Sequence, residues 1–170
     1  PDRSNDINMN LSGLPDIKTE STTPVDIPPI LQRKWEKDNA ENNDAWILPS
    51  AIKYRTDLNV DPSTYIIKWL SAWVEEFGID GFRADTAKHI DIYRWQELKD
   101  ESNKALKTWR ENNPDSPGSN WIDEFWMTGE VFGQGIEKNQ YYDNGFDSII
   151  NFNFPKGPSL EYLEEIYSEY

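Results

Sequence analysis

Apolar positions along this chain are spaced for an amphipathic helix followed by a short buried strand. In the helix predicted between Asp61 and Gly78, they recur every three or four residues and therefore share one face. Asp61 and Pro62 are a typical N-cap and first helical residue, and Gly78 is a typical stop. A strand is predicted over residues 79–84. The apolar face of the helix consists of Ile66, Ile67, Leu70, Trp73, Val74 and Phe77.

The pattern continues with a second helix over residues 91–112 and strands over 125–129 and 146–152. A loop is predicted over 112–120 from its Pro, Gly and Asn content, and a last helix is predicted from about Ser159. Strands that alternate with helices predict a parallel sheet with right-handed crossovers. The fold class is therefore α/β.

Residues 1–60 differ from the rest because they are polar and rich in Asn, Asp and Pro. The three prolines in residues 19–29 favour extended and turn conformations. We predict one short helix over 30–37, and expect Trp35 and Trp46 to pack against another part of the molecule. The chain is thus divided into a long loop or insertion at 1–60 and an α/β region at 61–170.

The net charge of the chain limits the classes of ligand that it can be expected to bind. The net charge is −14, which argues against a nucleic acid or an anionic membrane surface as partner. A neutral ligand such as a sugar fits better, and some of the eight Trp and eight Tyr would supply stacking faces, although most belong to an ordinary core. There is no cysteine for a disulfide or a thiolate metal site. No apolar run is long enough for a membrane span.

Two of the predicted strands end in carboxylates, Asp85 and Glu130. Arg83 lies two residues before Asp85 and therefore on the same side of the strand, where its charge would keep Asp85 ionised. Glu130 has mostly apolar neighbours, a setting that favours the protonated form of a carboxyl, as a general acid needs. Two such groups on neighbouring parallel strands are the equipment of a glycosidase.

Structural roles explain the same residues on spacing alone. An Arg-x-Asp pair at a strand end is commonly a structural ion pair, and Glu130 could cap a helix. His89 is the only histidine in the chain and could be an ordinary structural histidine. The position of both carboxylates at the ends of successive strands favours the catalytic interpretation.

Three motifs resemble those of the α-amylase family of glycoside hydrolases. GFRADTAKH at 81–89 resembles the signature of the fourth barrel strand, and MTGEV at 127–131 that of the fifth. GLPDIKTE at 13–20 resembles the LPD motif that follows the third strand. FWMTGEVFGQG and YYDNGFDSIINF are similar to the periplasmic members of the family from Gram-negative bacteria.

The resemblance implies that the chain is a portion of a (β/α)8 TIM barrel, about strands 4–6, preceded by a long loop or insertion. It implies a retaining glycosidase that acts on internal α-1,4-glucosidic bonds of starch or maltooligosaccharides, in the periplasm or secreted. Asp85 would be the nucleophile, Glu130 the general acid/base and Arg83 the charge partner of the nucleophile. Lys88 and His89 would border acceptor-side sugar subsites, and Phe132 is a further substrate-binding candidate.

The same resemblance implies a structural calcium ion. The backbone carbonyl of His89 would be one ligand, and a carboxylate of the LPD region, Asp16, another. Asp57 is a rival, because it precedes the helix that leads into the strand. Calcium suits either, since it is a hard cation that takes oxygen ligands.

The family's third-strand Asn-His motif and seventh-strand His-Asp pair do not occur in these 170 residues. We therefore expect an internal piece of a longer enzyme, inactive alone, with the rest of the barrel supplied by the parent chain. The alternatives are a transglycosylase or α-glucosidase of the same family, a non-catalytic amylase-like binding domain, and a small sugar-binding α/β module.

Overall fold

The computed structural model describes residues 17–41, 49–52, 59–135 and 137–152, which form a parallel sheet with helices packed on one face. A 3₁₀ turn, Ala87–His89, follows the first strand. In chain order the other elements are α1 (Pro29–Ala40), α2 (Pro49–Ile52), α3 (Pro62–Phe77), β1 (Gly81–Ala84), α4 (Ile92–Asn112), β2 (Trp126–Gly129) and β3 (Ser148–Ile149).

The sheet has the order β1-β2-β3, and both pairs of strands are parallel, as predicted. The register pairs Arg83 with Thr128 and Ala84 with Gly129. Met127 and Phe125 are fully buried beneath the helices, whereas Arg83 lies on the opposite, open face. One face of the sheet therefore carries the core, and the other carries polar side chains.

Each strand is shorter than its prediction. The observed strands are Gly81–Ala84 instead of 79–84, Trp126–Gly129 instead of 125–129, and Ser148–Ile149 instead of 146–152. Phe125 and Phe146 are buried but lie outside the strands. An apolar pattern reports which side chains are buried, but a strand extends only where its backbone pairs with a neighbour.

Helix α3 begins and ends at the predicted signals. The Asp61 carboxylate accepts a hydrogen bond from the Thr64 backbone N–H at 3.0 Å. Gly78 ends the helix in the left-handed conformation, with φ of 65°. A Cβ atom at this position would lie only 2.3 Å from the nearest atom of the Trp109 ring. Only glycine satisfies both conditions.

The predicted apolar face of α3 is split in the structure. Ile67 and Val74 are buried in the core, but Trp73 and Phe77 are each more than half exposed and contact one another. With 3.6 residues per turn, Trp73 and Phe77 lie roughly 100° and 60° around the helix from Val74. They belong to the edge of the apolar face and not to its centre.

Helix α4 carries a buried cation that joins it to α3. Arg94 is 8% exposed; its guanidinium lies 3.1 Å from the Asp61 carboxylate and 2.8 Å from that of Glu97. Burial alone would raise the pKa of Asp61. Hydrogen bonds from Ser63 and Thr64 and the charge of Arg94 outweigh it and lower this pKa to about 2.

The early segment packs on the α/β region, as expected. Val25 forms an antiparallel bridge with Val60, and Ile27 is buried. Helix α1, Pro29–Ala40, is longer than the predicted 30–37, and its Trp35 ring contacts Trp69 of α3. The predicted helix from Ser159 lies outside the described residues, as does Trp46. None of the described helices combines the length and apolar character of a membrane span.

Replacing Asp61 with Asn should remove an acid-dependent part of the stability. The folded-state pKa lies below the ordinary value of 3.8, so the ionised carboxylate stabilises the fold above about pH 4. This contribution, about 2 kcal/mol, is lost as the pH falls toward about 2. Urea denaturation of the protein should show a difference between the wild type and Asp61→Asn that shrinks over this range.

Glu101→Gln is the matched control, because this carboxylate on α4 is 43% exposed and pairs with the exposed Lys104. It should change the free energy of unfolding by less than about 0.5 kcal/mol. A difference between wild type and Asp61→Asn that stays constant from pH 4 to pH 2 would contradict the assignment.

Candidate active site

The carboxyl ends of β1 and β2 place two acidic residues beside each other. Asp85 follows Ala84, Glu130 follows Gly129, and the register pairs Ala84 with Gly129. The Glu130 N–H donates to the Ala84 carbonyl at 2.8 Å, and the Ala87 N–H donates to the Glu130 carbonyl at 2.9 Å. These backbone hydrogen bonds fix the positions from which both carboxyl groups project.

Arg83 lies between the two carboxyl groups. Its Nη2 is 2.7 Å from Oε2 of Glu130, and its Nη1 is 3.5 Å from Oδ1 of Asp85. The sequence predicted contact with Asp85 alone, but the structure adds a shorter and better-formed ion pair with Glu130. One guanidinium thus serves both carboxyl groups, with its planar fork of donors.

The surroundings of Asp85 favour its ionised form. Its pKa is held below the ordinary value of 3.8, chiefly because the Glu130 side chain hydrogen-bonds to it. Desolvation opposes this shift, and the charge of Arg83 and the Thr86 backbone N–H add to it. The Glu130 side chain is the less exposed, at 23% against 67% for Asp85.

Thr86 has a backbone conformation that the sequence did not predict. Its φ of 45° and ψ of 42° fall in the left-handed region, which costs a non-glycine residue roughly 1–2 kcal/mol. The turn directs the Thr86 N–H at the Asp85 carboxylate and starts the 3₁₀ turn. Threonine gives no sequence signal for this conformation, since it rarely adopts it.

The 3₁₀ turn carries the two predicted subsite residues, Lys88 and His89, both partly buried. The turn is held from behind by Trp95 of α4, whose indole N–H donates to the Ala87 carbonyl at 3.0 Å. Ala87 in turn donates to Glu130. The region of Lys88 and His89 is therefore coupled through the backbone to the candidate acid, and Trp95 is a contributor that the sequence reading treated only as core.

Phe132 lies two residues beyond Glu130 and is 72% exposed. Its ring lies 5.3 Å from the Phe152 ring at an interplanar angle of 60°. An exposed aromatic ring beside polar groups offers a flat surface of the kind on which a sugar stacks. Phe152 was not singled out from the sequence, because nothing local links two residues so far apart.

The structure describes only one of the three residues predicted to bind calcium. Asp16 and Asp57 lie outside the described residues, whereas His89 lies within them. In residues 17–41, 49–52, 59–135 and 137–152 no group of three or more His, Asp or Glu side chains is placed to hold a metal ion.

The arrangement places an ionised carboxylate, a second and less exposed carboxyl group and a fixed cation at one edge of the sheet. The first can attack or stabilise an electron-poor carbon, and the second can give a proton to a departing oxygen. The cation keeps the first group charged. These are the components of an acid-assisted substitution at an acetal carbon.

Comparisons with known proteins agree on one family. Residues 16–165 match the family model described as alpha amylase, catalytic domain. The chain is 42% identical over 151 residues to the periplasmic alpha-amylase of Escherichia coli (strain K12), and 33% identical over 84 residues to the alpha-amylase of Streptomyces lividans. These alignments cover 88% and 48% of the chain.

The chain spans only 20% of the length of the E. coli relative and 8% of the Streptomyces one. Among solved structures, it matches the Anoxybacillus alpha-amylase with a TM-score of 0.44 and 20% identity, over 87% of this chain and 34% of that one.

The pKa of Asp85 provides a test of this geometry. Arg83→Met should raise it, because a neighbouring positive charge is lost, and Glu130→Leu should raise it further, because the largest stabilising contact is lost. The measurement is a ¹³C NMR titration of side-chain carboxyls, with the Asp85 signal assigned by its loss in Asp85→Asn.

Arg110→Met is the control, because the Arg110 guanidinium donates to the Asp123 backbone carbonyl and not to a carboxyl group of the candidate site. It should leave the Asp85 titration unchanged. The geometry is wrong if Asp85 titrates above 3.8 in the wild type, or if neither Arg83→Met nor Glu130→Leu moves it.

Proposed function

Because the chain belongs to the alpha-amylase family, we propose that it carries the nucleophile and the general acid of a retaining α-glycosidase. The substrate is an α-glucan of the starch type, and the bonds cleaved are internal α-1,4-glucosidic bonds. The observation that carries the proposal is Arg83, which lies between the Asp85 carboxylate and the less exposed Glu130 carboxyl group at the ends of two parallel strands.

Membership of the same family supports an assignment of the three strands within a barrel. A (β/α)8 barrel binds its substrate at the carboxyl ends of its strands, where Asp85 and Glu130 lie. We propose that β1, β2 and β3 are barrel strands 4–6, and that residues 1–60 form the loop or insertion that precedes them. The rest of the barrel would come from the protein to which this chain belongs.

In the first step, the Asp85 carboxylate attacks the anomeric carbon while the bond from that carbon to the leaving oxygen breaks. Glu130 gives its proton to the leaving oxygen, so the departing glucan leaves as an alcohol. When substrate binds, the glycosidic oxygen takes the place of Asp85 beside the Glu130 side chain. Arg83 keeps Asp85 ionised before the attack.

In the second step, Glu130 accepts a proton from water as the water oxygen attacks the same carbon. The bond to Asp85 breaks, and the carboxylate is regenerated. Two inversions give net retention of the α configuration. Lys88 and His89 contact the acceptor-side sugars, and Phe132 with Phe152 offers a stacking surface for another.

A periplasmic or secreted location is part of the proposal. It rests on the periplasmic alpha-amylase of E. coli, which is 42% identical over most of this chain.

The stereochemistry and the two roles can be tested together. On a defined maltooligosaccharide, the first product seen by ¹H NMR should be the α-anomer. Asp85→Asn should lower kcat by at least about 10⁴-fold, and Glu130→Gln by roughly 10²- to 10⁴-fold. The kcat/KM of Glu130→Gln on α-maltosyl fluoride should survive, because this ratio reports the first step and fluoride leaves without a proton. A β-anomer as first product would overturn the retaining mechanism.

We also propose a structural calcium ion bound by Asp16 or Asp57 together with the His89 carbonyl. Calcium should raise the melting temperature of the protein, since a ligand that binds only the folded state stabilises it. Either Asp16→Asn or Asp57→Asn should abolish that shift. Asp115→Asn, in an exposed loop, should not. No effect of calcium on the melting temperature of the unsubstituted protein would refute the site.

A further inference from the structure

Lys99 is a buried cation that the proposed chemistry does not use. It lies in α4, is 6% exposed, and its Nζ contacts Oδ2 of Asp147 at 2.5 Å. A buried charge is costly to maintain unless its partner is well placed. The partner, Asp147, immediately precedes β3, so the pair joins α4 to the sheet.

Asp147 does more than neutralise this lysine. The same oxygen, Oδ2, accepts a hydrogen bond from the Met127 N–H of β2 at 2.7 Å, and the Asp147 N–H donates to the Met127 carbonyl at 2.9 Å. One residue therefore satisfies both backbone groups of Met127. Lys99 fixes the carboxylate that makes one of these bonds.

Met127 is fully buried in β2 and stands three residues before Glu130, which directly follows this short strand. Strand β2 is consequently held at two points. Its carboxyl end is bonded to Ala84 and Ala87, and its middle is bonded to Asp147 and, through it, to Lys99. Because the strand is only four residues long, a shift at Met127 reaches Glu130 with little to absorb it.

We propose that Lys99 and Asp147 are positioning residues that set the location of the Glu130 carboxyl along β2. The inference rests on the proposed function, because Lys99 and Asp147 can have a positioning role only if Glu130 is the general acid. Misplacing a catalytic group by about 1 Å can cost on the order of 10²-fold in rate. The loss should appear in the proton-transfer step and not in substrate binding.

The test compares two leaving groups in the whole protein. Lys99→Met and Asp147→Asn should each lower kcat on a maltooligosaccharide by roughly 10- to 100-fold, with KM little changed. On α-maltosyl fluoride, whose cleavage in the first step needs no acid, kcat/KM should stay within about 3-fold of the wild type, because this ratio does not include the second step in which Glu130 acts as base. Lys99→Arg keeps a cation of similar reach and should restore most of the activity on the oligosaccharide.

Lys104→Met is the matched control. It removes another lysine of α4, but one whose side chain is 72% exposed and pairs with Glu101 on the same helix. It should leave the activity on both substrates unchanged. If a single substitution fails to fold, Lys99→Met/Asp147→Asn removes both charges while retaining an oxygen that can accept from Met127, and the same difference between substrates is expected.

Glu130→Gln distinguishes a failure of the positioning role of Lys99 and Asp147 from a failure of the acid role of Glu130. If it discriminates between the substrates while the Lys99 and Asp147 variants lose activity equally on both, or on neither, the positioning role is wrong and the acid role stands. If Glu130→Gln itself shows no discrimination, the acid role fails and the positioning role fails with it.

Discussion

Two backbone hydrogen bonds at the end of the sheet determine most of what lies around them. The Glu130 N–H bonds to the Ala84 carbonyl, and the Glu130 carbonyl accepts from Ala87. The first continues the parallel pairing of β1 and β2 past the last strand residue, and the second fastens the following turn to it. Without them, Asp85 and Glu130 would project from loops whose relative position nothing would define.

Given that framework, the two acidic side chains acquire different properties from nearly the same surroundings. Both contact Arg83, yet Asp85 is mostly exposed and has a lowered pKa, while Glu130 is largely covered. Exposed ion pairs contribute little to stability, so the arrangement is better understood as keeping Asp85 ionised than as a stabilising contact. An acid and a nucleophile need such different surroundings.

The helices behind the sheet contain a second set of charges with a structural role. Arg94 and Lys99 are both buried in α4, and each is paired with an acidic residue of another element, Asp61 and Asp147 respectively. Breaking such a pair leaves an uncompensated buried charge, which is strongly destabilising. The pairs therefore fix how α4 packs against α3 and β3, and α4 also supports the turn that follows Asp85 through Trp95.

The sequence alone determined the features that depend on short stretches of chain. Helical spacing and the Asp61 and Gly78 signals defined α3, the alternation of elements predicted a parallel sheet, and the residues around Asp85 and Glu130 indicated the family. These follow from local propensity and from which side chains must be buried. They do not depend on where a distant residue lies.

Only the tertiary structure decided the contacts that cross the chain. Arg83 is 47 residues from Glu130, and Lys99 is 48 from Asp147, so neither pair leaves a local pattern. The lengths of the strands, the exposure of Trp73 and the left-handed Thr86 were likewise set by neighbours from other elements. The physical reason is common to all of them: periodicity records whether a residue is buried, whereas packing decides what it is buried against.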